Sequence, residues 1–226
     1  NGHGSHLAGI IANGLTKHQV EIMNLKFTNK DGQGSLFDAA CAIYYAIDKN
    51  ADLINTSWGY TGNPSPILYR AMQAAGNNCG TLILTSAGND GIDIDKALND
   101  HYPSNYNLDN IISVGNFHNA MGNLHVSSNY GQDNVDMSAP GVLVYSTLPD
   151  NVHGWRTGTS MAAARVCNAA VQMLYDEPTA SFRGLKHCLL DAVTTYPSLN
   201  GKVFSSGDLN TTNARNCATT NSLITE

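Results

Sequence analysis

The chain has 226 residues, a formal net charge of −6 and a hydrophobic content of 42%, which is enough apolar material for a folded core and excludes a disordered protein. The acidic balance, without any run rich in lysine and arginine, argues against a nucleic-acid-binding surface. No apolar stretch approaches the length of about 18 residues that a membrane-spanning helix needs.

Short apolar runs typical of buried strands alternate with amphipathic helical patterns along the first half of the chain. The strand-like runs cover residues 20–26, 53–58, 81–86 and 111–114, and apolar residues recur at helical spacing between the first and second and between the second and third. This alternation predicts an α/β fold of three layers, with a parallel sheet flanked by helices. Because no repeat or linker-like segment interrupts it, residues 1–226 are interpreted as a single domain.

The second half of the chain begins with loops and turns and returns to regular structure later. A strand is predicted at residues 142–147, followed by helices at residues 160–175 and 180–193. Pro178 is expected in the first turn of the second helix, where a proline is tolerated.

The five cysteines are an odd number and show no CxxC or cysteine–histidine ligand spacing, so a structural zinc site is disfavoured. Cys167 and Cys188 lie on apolar helical faces and are interpreted as buried thiols. The sequence leaves disulfide pairing open.

Polar residues stand where parallel α/β folds gather their chemistry, at the ends of strands and the starts of the following helices. Ser160 opens a predicted helix, where it would serve as an N-cap or as a nucleophile near free N–H groups. Asn89 ends a predicted strand, as a turn residue or an amide donor. His3 is a structural histidine or a base. His6 lies one helical turn after His3, so the two histidines could form a metal site. This site is disfavoured because no glutamate lies between the pair.

Three segments carry a resemblance to a known family. NGHGSHLAG at residues 1–9, SAGND at residues 86–90 and GTSMAA at residues 158–163 resemble the histidine, oxyanion-asparagine and serine motifs of the subtilisin-like serine proteases. Further matching segments, in the expected order, are DGQGS at 31–35, INTSWG at 54–59, SNYG at 128–131, SAPG at 138–141 and SGDLN at 206–210. The resemblance covers essentially the whole chain.

The resemblance implies a role for each motif. Ser160 is expected to be the nucleophile, His3 the general base, and Asn89 the oxyanion donor together with the backbone N–H of Ser160. The expected substrate-binding residues are Gly32, Gln33 and Gly34, then Ser57, Trp58 and Gly59, and then Ser86, Ala87 and Gly88. Substrate would pair as an added β-strand between the first two of these segments. The second and third segments would form the walls of the first side-chain pocket.

The chain departs from the family pattern at two points. The aspartate of the family's triad precedes the histidine motif, and this chain begins two residues before His3. We therefore expect that aspartate, and a first strand of the sheet, in an upstream segment or a separate chain. The second departure is Ala164, where the family usually has proline; alanine favours helix, so the change concerns helix entry rather than chemistry.

These observations predict a serine endopeptidase that acts on peptides or proteins. The alternative is an inactive relative that binds peptides without cutting them, although such a protein has no chemical need for His3, Asn89 and Ser160 together. A hydrolase of lipids or other esters is disfavoured, because residues 158–162 read GTSMA and not the GxSxG elbow of α/β-hydrolases. The resemblance implies no required cofactor, allows structural calcium although no clear ligand loop is evident, and favours a secreted or otherwise non-cytosolic compartment.

Overall fold

The computed structural model of the chain describes residues 2–220. Its helices are α1 (His3–Ile11), α2 (Leu36–Asp48), α3 (Pro66–Cys79), α4 (Thr159–Asp176), α5 (Phe182–Asp191) and α6 (Thr211–Thr220). Its strands are β1 (Leu53–Thr56), β2 (Tyr60–Thr61), β3 (Leu82–Ser86), β4 (His101–Tyr102), β5 (Ile111–His118), β6 (Asn123–Leu124), β7 (Met137–Pro140), β8 (Val144–Thr147), β9 (His153–Arg156), β10 (Thr194–Thr195) and β11 (Gly207–Asp208). Across residues 2–220, no helix combines the length and hydrophobicity that crossing a membrane requires.

A mostly parallel sheet forms the centre of the fold. Its strands lie in the order β1-β3-β5-β7-β11-β10, and β6 adds to β5. The pairs from β1 to β11 are parallel, whereas β10 and β6 run antiparallel to their neighbours. Two small antiparallel pairs, β2 with β4 and β8 with β9, lie outside this sheet.

The side chains of β3 show how the sheet divides two layers of helices. Leu82 and Leu84 join the cluster that contains α4, α5 and α6, whereas Ile83 points to the opposite face and packs with α2 and α3. This alternation follows from the two-residue period of a strand. The predicted α/β fold, a parallel sheet flanked by helices, is therefore confirmed.

Helix α1 packs against α4 and against the β8–β9 hairpin. Leu7 and Ile10 form a small apolar cluster with Val144 of β8 and with Met161 and Ala164 of α4. The hydroxyls of β8 strengthen this contact, because Ser146 Oγ donates to the carbonyl of His6 and Thr147 Oγ1 to that of Ser5, both at 2.7 Å.

Gly9 allows α1 to approach β8 this closely. A Cβ atom at this position would collide with the hydroxyl oxygens of Ser146 and Thr147. Gly4, in the same helix, has open space where its Cβ would lie. We expect Gly9→Ala to lower the free energy of unfolding by about 1–3 kcal/mol through overpacking. Gly4→Ala is the matched control and should be neutral or stabilising, because alanine favours helix. Urea unfolding of both variants tests this, and equal stabilities would contradict it.

The predicted strand at residues 20–26 is wrong. This run is neither helix nor strand, and its residues are half-buried or exposed. An apolar run becomes a strand only when a neighbour accepts its backbone hydrogen bonds, and no described strand pairs with it. The adjacent edge strand of the sheet, β1, pairs with β3 alone among the described strands.

The second half of the chain holds three further corrections. Pro178 lies before α5, whose N-cap is Ser181, and not in its first turn. Cys188 is not a thiol, because it forms a disulfide with Cys217 that joins α5 to α6. The interval predicted as loops and turns contains β7, which lies within the central sheet. Cys167 is a buried free thiol, as predicted.

Candidate active site

Ser160 lies in the first turn of α4, against the chain that leaves β1. Its Oγ donates a hydrogen bond to the carbonyl of Ser57 at 3.3 Å, and Ser57 Oγ donates to the carbonyl of Ser160 at 3.0 Å. The N-cap of α4 is Gly158, so the interpretation of Ser160 as a cap is wrong. The backbone N–H groups of a first helical turn have no partner within the helix and suit an anion.

Asn89 follows β3 and is fixed to the same end of α4. Its Oδ1 accepts hydrogen bonds from the backbone N–H of Thr159 at 2.9 Å and from Thr159 Oγ1 at 3.2 Å. The side-chain carbonyl is thus occupied by the residue next to Ser160. Because Asn89 is exposed, its amide N–H groups remain available to a ligand beside the serine.

Helix α1, which begins at His3, packs against α4, which carries Ser160 in its first turn. Near the end of α1, the carbonyl of Ile11 accepts a hydrogen bond from Asn168 Nδ2 at 2.7 Å. Ile11 and Asn168 lie eight residues after His3 and Ser160, respectively, and every helical residue rises by about 1.5 Å. This equal spacing is what a pair of residues at neighbouring helix starts requires.

The environment of His3 favours the neutral form of its imidazole. Burial lowers the pKa of His3, and the positive charge of Arg156 and the neighbouring His6 lower it further. A neutral imidazole can accept a proton, as a general base must.

His6 is a buried residue that joins α1 to the β8–β9 hairpin. Its side chain is fully buried, and Nε2 lies 3.1 Å from the carbonyls of both Val144 and Gly154, on the two strands of the β8–β9 hairpin. Among residues 2–220, no group of three or more His, Cys, Asp or Glu side chains is arranged to hold a metal ion.

Two of the predicted substrate segments are linked by aromatic packing. Phe27 packs edge-on against Trp58 at a ring-centroid distance of 5.0 Å, and a Cβ on Gly34 would lie 2.7 Å from the same phenyl ring. Residues 31–35 are exposed, and Ser57 lies against Ser160. Phe27 thus contacts both segments, and the second of them reaches Ser160 through Ser57.

The third predicted segment, Ser86, Ala87 and Gly88, is buried and is held in place by Asn129. Nδ2 of Asn129 donates to the carbonyl of Ala87 at 3.0 Å, and its Oδ1 accepts from the backbone N–H of Asp90 at 2.9 Å. Asn129 thus forms hydrogen bonds with the backbone on both sides of Asn89.

The sequence analysis did not identify two residues near the candidate site. Arg156 is in β9 and acts on His3 through its charge. His101 in β4 lies against Gly59 and Gly88. Both come from segments far from the motifs in sequence, and no local pattern distinguishes them from ordinary surface or core residues.

Comparison with known proteins identifies relatives of this chain in sequence and in structure. Residues 1–215 match the sequence model of the Subtilase family. Similar proteins include Subtilisin-like protease 2 of Plasmodium falciparum (isolate 3D7), at 32% identity over 182 residues, which cover 75% of this chain and 13% of that protein. The Major intracellular serine protease of Bacillus subtilis (strain 168) is 34% identical over 188 residues, 78% of this chain and 56% of that protein.

A third relative and two solved structures are similar over more of their length. Subtilisin BL of Lederbergia lenta is 31% identical over 217 residues, 93% of this chain and 76% of that protein. A structure described as the structural basis of subtilase cytotoxin SubAB assembly has a TM-score of 0.83 at 26% identity, covering 96% of this chain and 76% of that one. A structure of proteases from Pseudoalteromonas arctica PAMC 21717 has a TM-score of 0.81 at 26% identity, covering 96% of this chain and 70% of that one. The chain thus spans between 13% and 76% of these relatives.

Proposed function

The chain belongs to the subtilase family, and we propose that it is the catalytic domain of a serine endopeptidase, formed by residues 1–226. The observation that carries the proposal is the contact between Asn89 and Thr159, which fixes an amide donor beside Ser160 at the start of α4. The hydrogen bond between Asn168 and Ile11, which lie eight residues after Ser160 and His3, respectively, supports it. A serine, a neutral imidazole and an oxyanion donor are the groups that acyl transfer to serine requires.

In the proposed reaction, Ser160 Oγ attacks the carbonyl carbon of the scissile peptide bond while its proton passes to His3. The negative charge that develops on the carbonyl oxygen is stabilised by the Asn89 amide and the backbone N–H of Ser160. His3 then protonates the leaving amine as the C–N bond breaks. Water, deprotonated by His3, hydrolyses the acyl ester and restores the Ser160 hydroxyl. No cofactor takes part in these steps.

The triad needs an acidic residue that orients His3. In the pattern of the family, this residue precedes the histidine motif. We propose that an aspartate from a segment preceding residue 1, or from a separate chain, supplies this partner. Denaturing mass spectrometry of active material tests this, and a fully active species that contains only residues 1–226 would contradict it.

Substrate is proposed to bind as an extended strand between the 31–35 loop and the segment Ser57, Trp58 and Gly59. The exposure of the loop and of Gly59, and the contacts of Phe27 with both Gly34 and Trp58, support this. Backbone hydrogen bonds to a peptide strand supply affinity with little dependence on sequence.

Cleavage assays distinguish this function from that of an inactive peptide-binding relative. Full-length protein incubated with denatured casein should generate internal cleavage products with new amino termini. The binding alternative predicts that casein is retained on the immobilised protein but remains intact.

The charge of Arg156 gives a prediction for the pH profile. Because kcat/KM rises as the base loses its proton, its acid limb should report the lowered pKa of His3. In Arg156→Gln the loss of a positive charge should raise that pKa and move the limb to higher pH. Arg183→Gln, which removes an exposed arginine paired with Asp109, is the control and should leave the limb in place. A limb that Arg156→Gln does not shift would contradict the assignment of His3 as base.

We propose an oxidising, non-cytosolic compartment for the protein. The disulfide between Cys188 and Cys217 supports this, because disulfides persist mainly in secreted and extracytoplasmic proteins. Free-thiol counting under denaturing, non-reducing conditions tests it, and two additional thiols from this pair would contradict it.

A further inference from the structure

Asp208 in β11 is a buried carboxyl group that no step of the proposed reaction uses. Only 7% of its surface is exposed, and it lies between two neighbouring strands, opposite Ser138 of β7 and Thr194 of β10. An aspartate is almost never buried to this extent unless a partner compensates its charge. The contacts of Asp208 therefore decide which protonation state the folded protein favours.

The hydroxyl of Ser138 has two acceptors at the same distance. Ser138 Oγ lies 3.1 Å from the carbonyl oxygen of Gly207 and 3.1 Å from Asp208 Oδ1. A hydroxyl group carries one hydrogen, so it can donate fully to only one of these two oxygens. When Asp208 is ionised, the other oxygen is left without this hydrogen, and a buried acceptor that loses its donor destabilises the folded state.

A proton on Asp208 removes this conflict. A protonated carboxyl group is a hydrogen-bond donor, and the Ser138 oxygen has lone pairs that can accept. The carboxyl group then donates to Ser138 Oγ, and the Ser138 hydroxyl donates to the carbonyl of Gly207. The three groups form a continuous chain in which each donor has one acceptor.

The groups that favour the ionised carboxylate compensate its burial only in part. The N–H of Leu209, next to Asp208, donates to the carbonyl of Ser138 at 2.9 Å and is shared with that acceptor. The positive charge that acts on Asp208 is that of Arg165 in α4. The side chain of Arg165 is exposed, and solvent and salt weaken the attraction between charges that reach the surface.

The other elements around Asp208 offer no further compensation. Strands β7 and β10, which flank β11, contain no titratable side chain. The guanidinium of Arg215, in the following helix α6, donates to both carboxylate oxygens of Asp176.

The balance of these effects favours the protonated carboxyl group. Burial raises the pKa of Asp208 to about 7, against the opposing effects of Ser138, Leu209 and Arg165, whereas an aspartate in an unfolded chain has a pKa of about 3.9. Between these two values the folded protein binds one more proton than the unfolded chain. The resulting stabilisation is complete below about pH 4 and is lost as the pH rises through 7.

From this geometry we propose that Asp208 carries a proton in the folded protein at mildly acidic pH and donates it to Ser138 Oγ. The junction between β7 and β11 is thereby a pH-sensitive contact, which holds β11 in the sheet under acidic conditions and weakens as the pH approaches neutrality. This inference is independent of the proposed cleavage reaction.

An NMR titration of the carboxyl carbon tests the protonation state directly. The full-length protein is labelled with ¹³C-aspartate and carries Ser160→Ala, so that self-cleavage does not interfere. The side-chain carboxyl resonance of Asp208 should titrate with a midpoint near pH 7.

Urea unfolding at several pH values tests the consequence for stability. Asp208→Asn, in the same full-length background, has an amide N–H that can donate to Ser138 Oγ at every pH. Between pH 5 and 7, the ratio of folded to unfolded molecules should fall by up to tenfold more per pH unit in the parent than in Asp208→Asn. Asp109→Asn is the control, because Asp109 is exposed and paired with the exposed Arg183; it should keep the pH dependence of the parent.

Two results would overturn the proposal. One is an Asp208 resonance that titrates near pH 4, a measurement that does not depend on the folding of any Asp208 variant. The other is an Asp208→Asn protein whose stability changes with pH as steeply as that of the parent.

Discussion

Replacing Ser160 with alanine is expected to lower kcat by about 10⁶, the size of effect that loss of the nucleophile has in a serine triad. The hydroxyl is the atom that forms the acyl intermediate, and no neighbouring side chain can replace it. Cys167, the one buried free thiol in the described part of the chain, cannot substitute, because burial raises the pKa of its thiol to about 12 and keeps it uncharged. Initial rates of peptide hydrolysis at saturating substrate measure the effect.

Ser57→Ala is the matched control for Ser160→Ala. Its hydroxyl contacts the backbone of Ser160, but no step of the proposed reaction passes through it. The loss in Ser57→Ala should therefore be orders of magnitude smaller. Equal losses in the two variants would show that the serine-to-alanine change acts through the local structure and not through the nucleophile.

Replacing Asn89 with alanine is expected to lower kcat by about 10²–10³ while KM changes little, because its hydrogen bond to substrate forms in the transition state. The structure adds a complication, since Asn89 also anchors Thr159 through its Oδ1. Steady-state kinetics of Asn89→Ala measure the sum of the two effects.

Asn89→Asp separates these two roles. An aspartate keeps an oxygen that can accept from the backbone N–H of Thr159, but it has lost the amide donor. If the donor is what matters, this variant should be as impaired as Asn89→Ala. Recovery of kcat in Asn89→Asp would contradict the oxyanion role and assign Asn89 to the positioning of α4.

The strands that are apolar on both faces could be predicted from local sequence, whereas the short strands that depend on their neighbours could not. Runs such as residues 81–86 and 111–114 are apolar on both faces, which is the pattern of a strand covered by helices on both sides. Residues 20–26 show a similar pattern but lack a described strand neighbour. Met137–Pro140 is short and ends in proline, so that its place within the sheet depends on β5 and β11 on either side.

Helix α6 illustrates a different limit. Its sequence, TTNARNCATT, has no continuous apolar stripe, and its buried residues are Ala214 and Ala218. The helix is held by the disulfide to α5 and by Arg215, which donates to both carboxylate oxygens of Asp176 at 2.6 and 2.9 Å. Such partners are distant in sequence, so the hydrophobic pattern of the segment does not reveal them.

Motifs point to candidate residues of the site but not to the residues that tertiary contacts bring beside them. His3, Asn89 and Ser160 are proposed from the motifs around them. The positions of His101 and Arg156 beside these residues depend on where β4 and β9 lie in the fold. The distinction between His3 and His6 likewise follows from the contacts of His6 with the β8–β9 hairpin.

Covalent labelling with a fluorophosphonate probe tests the central claim most directly, because the probe reacts with a serine whose hydroxyl is activated by a base. We expect one adduct per full-length molecule, located on Ser160 by tandem mass spectrometry and absent from Ser160→Ala. Labelling of a different residue, or no labelling of the folded full-length protein, would contradict it.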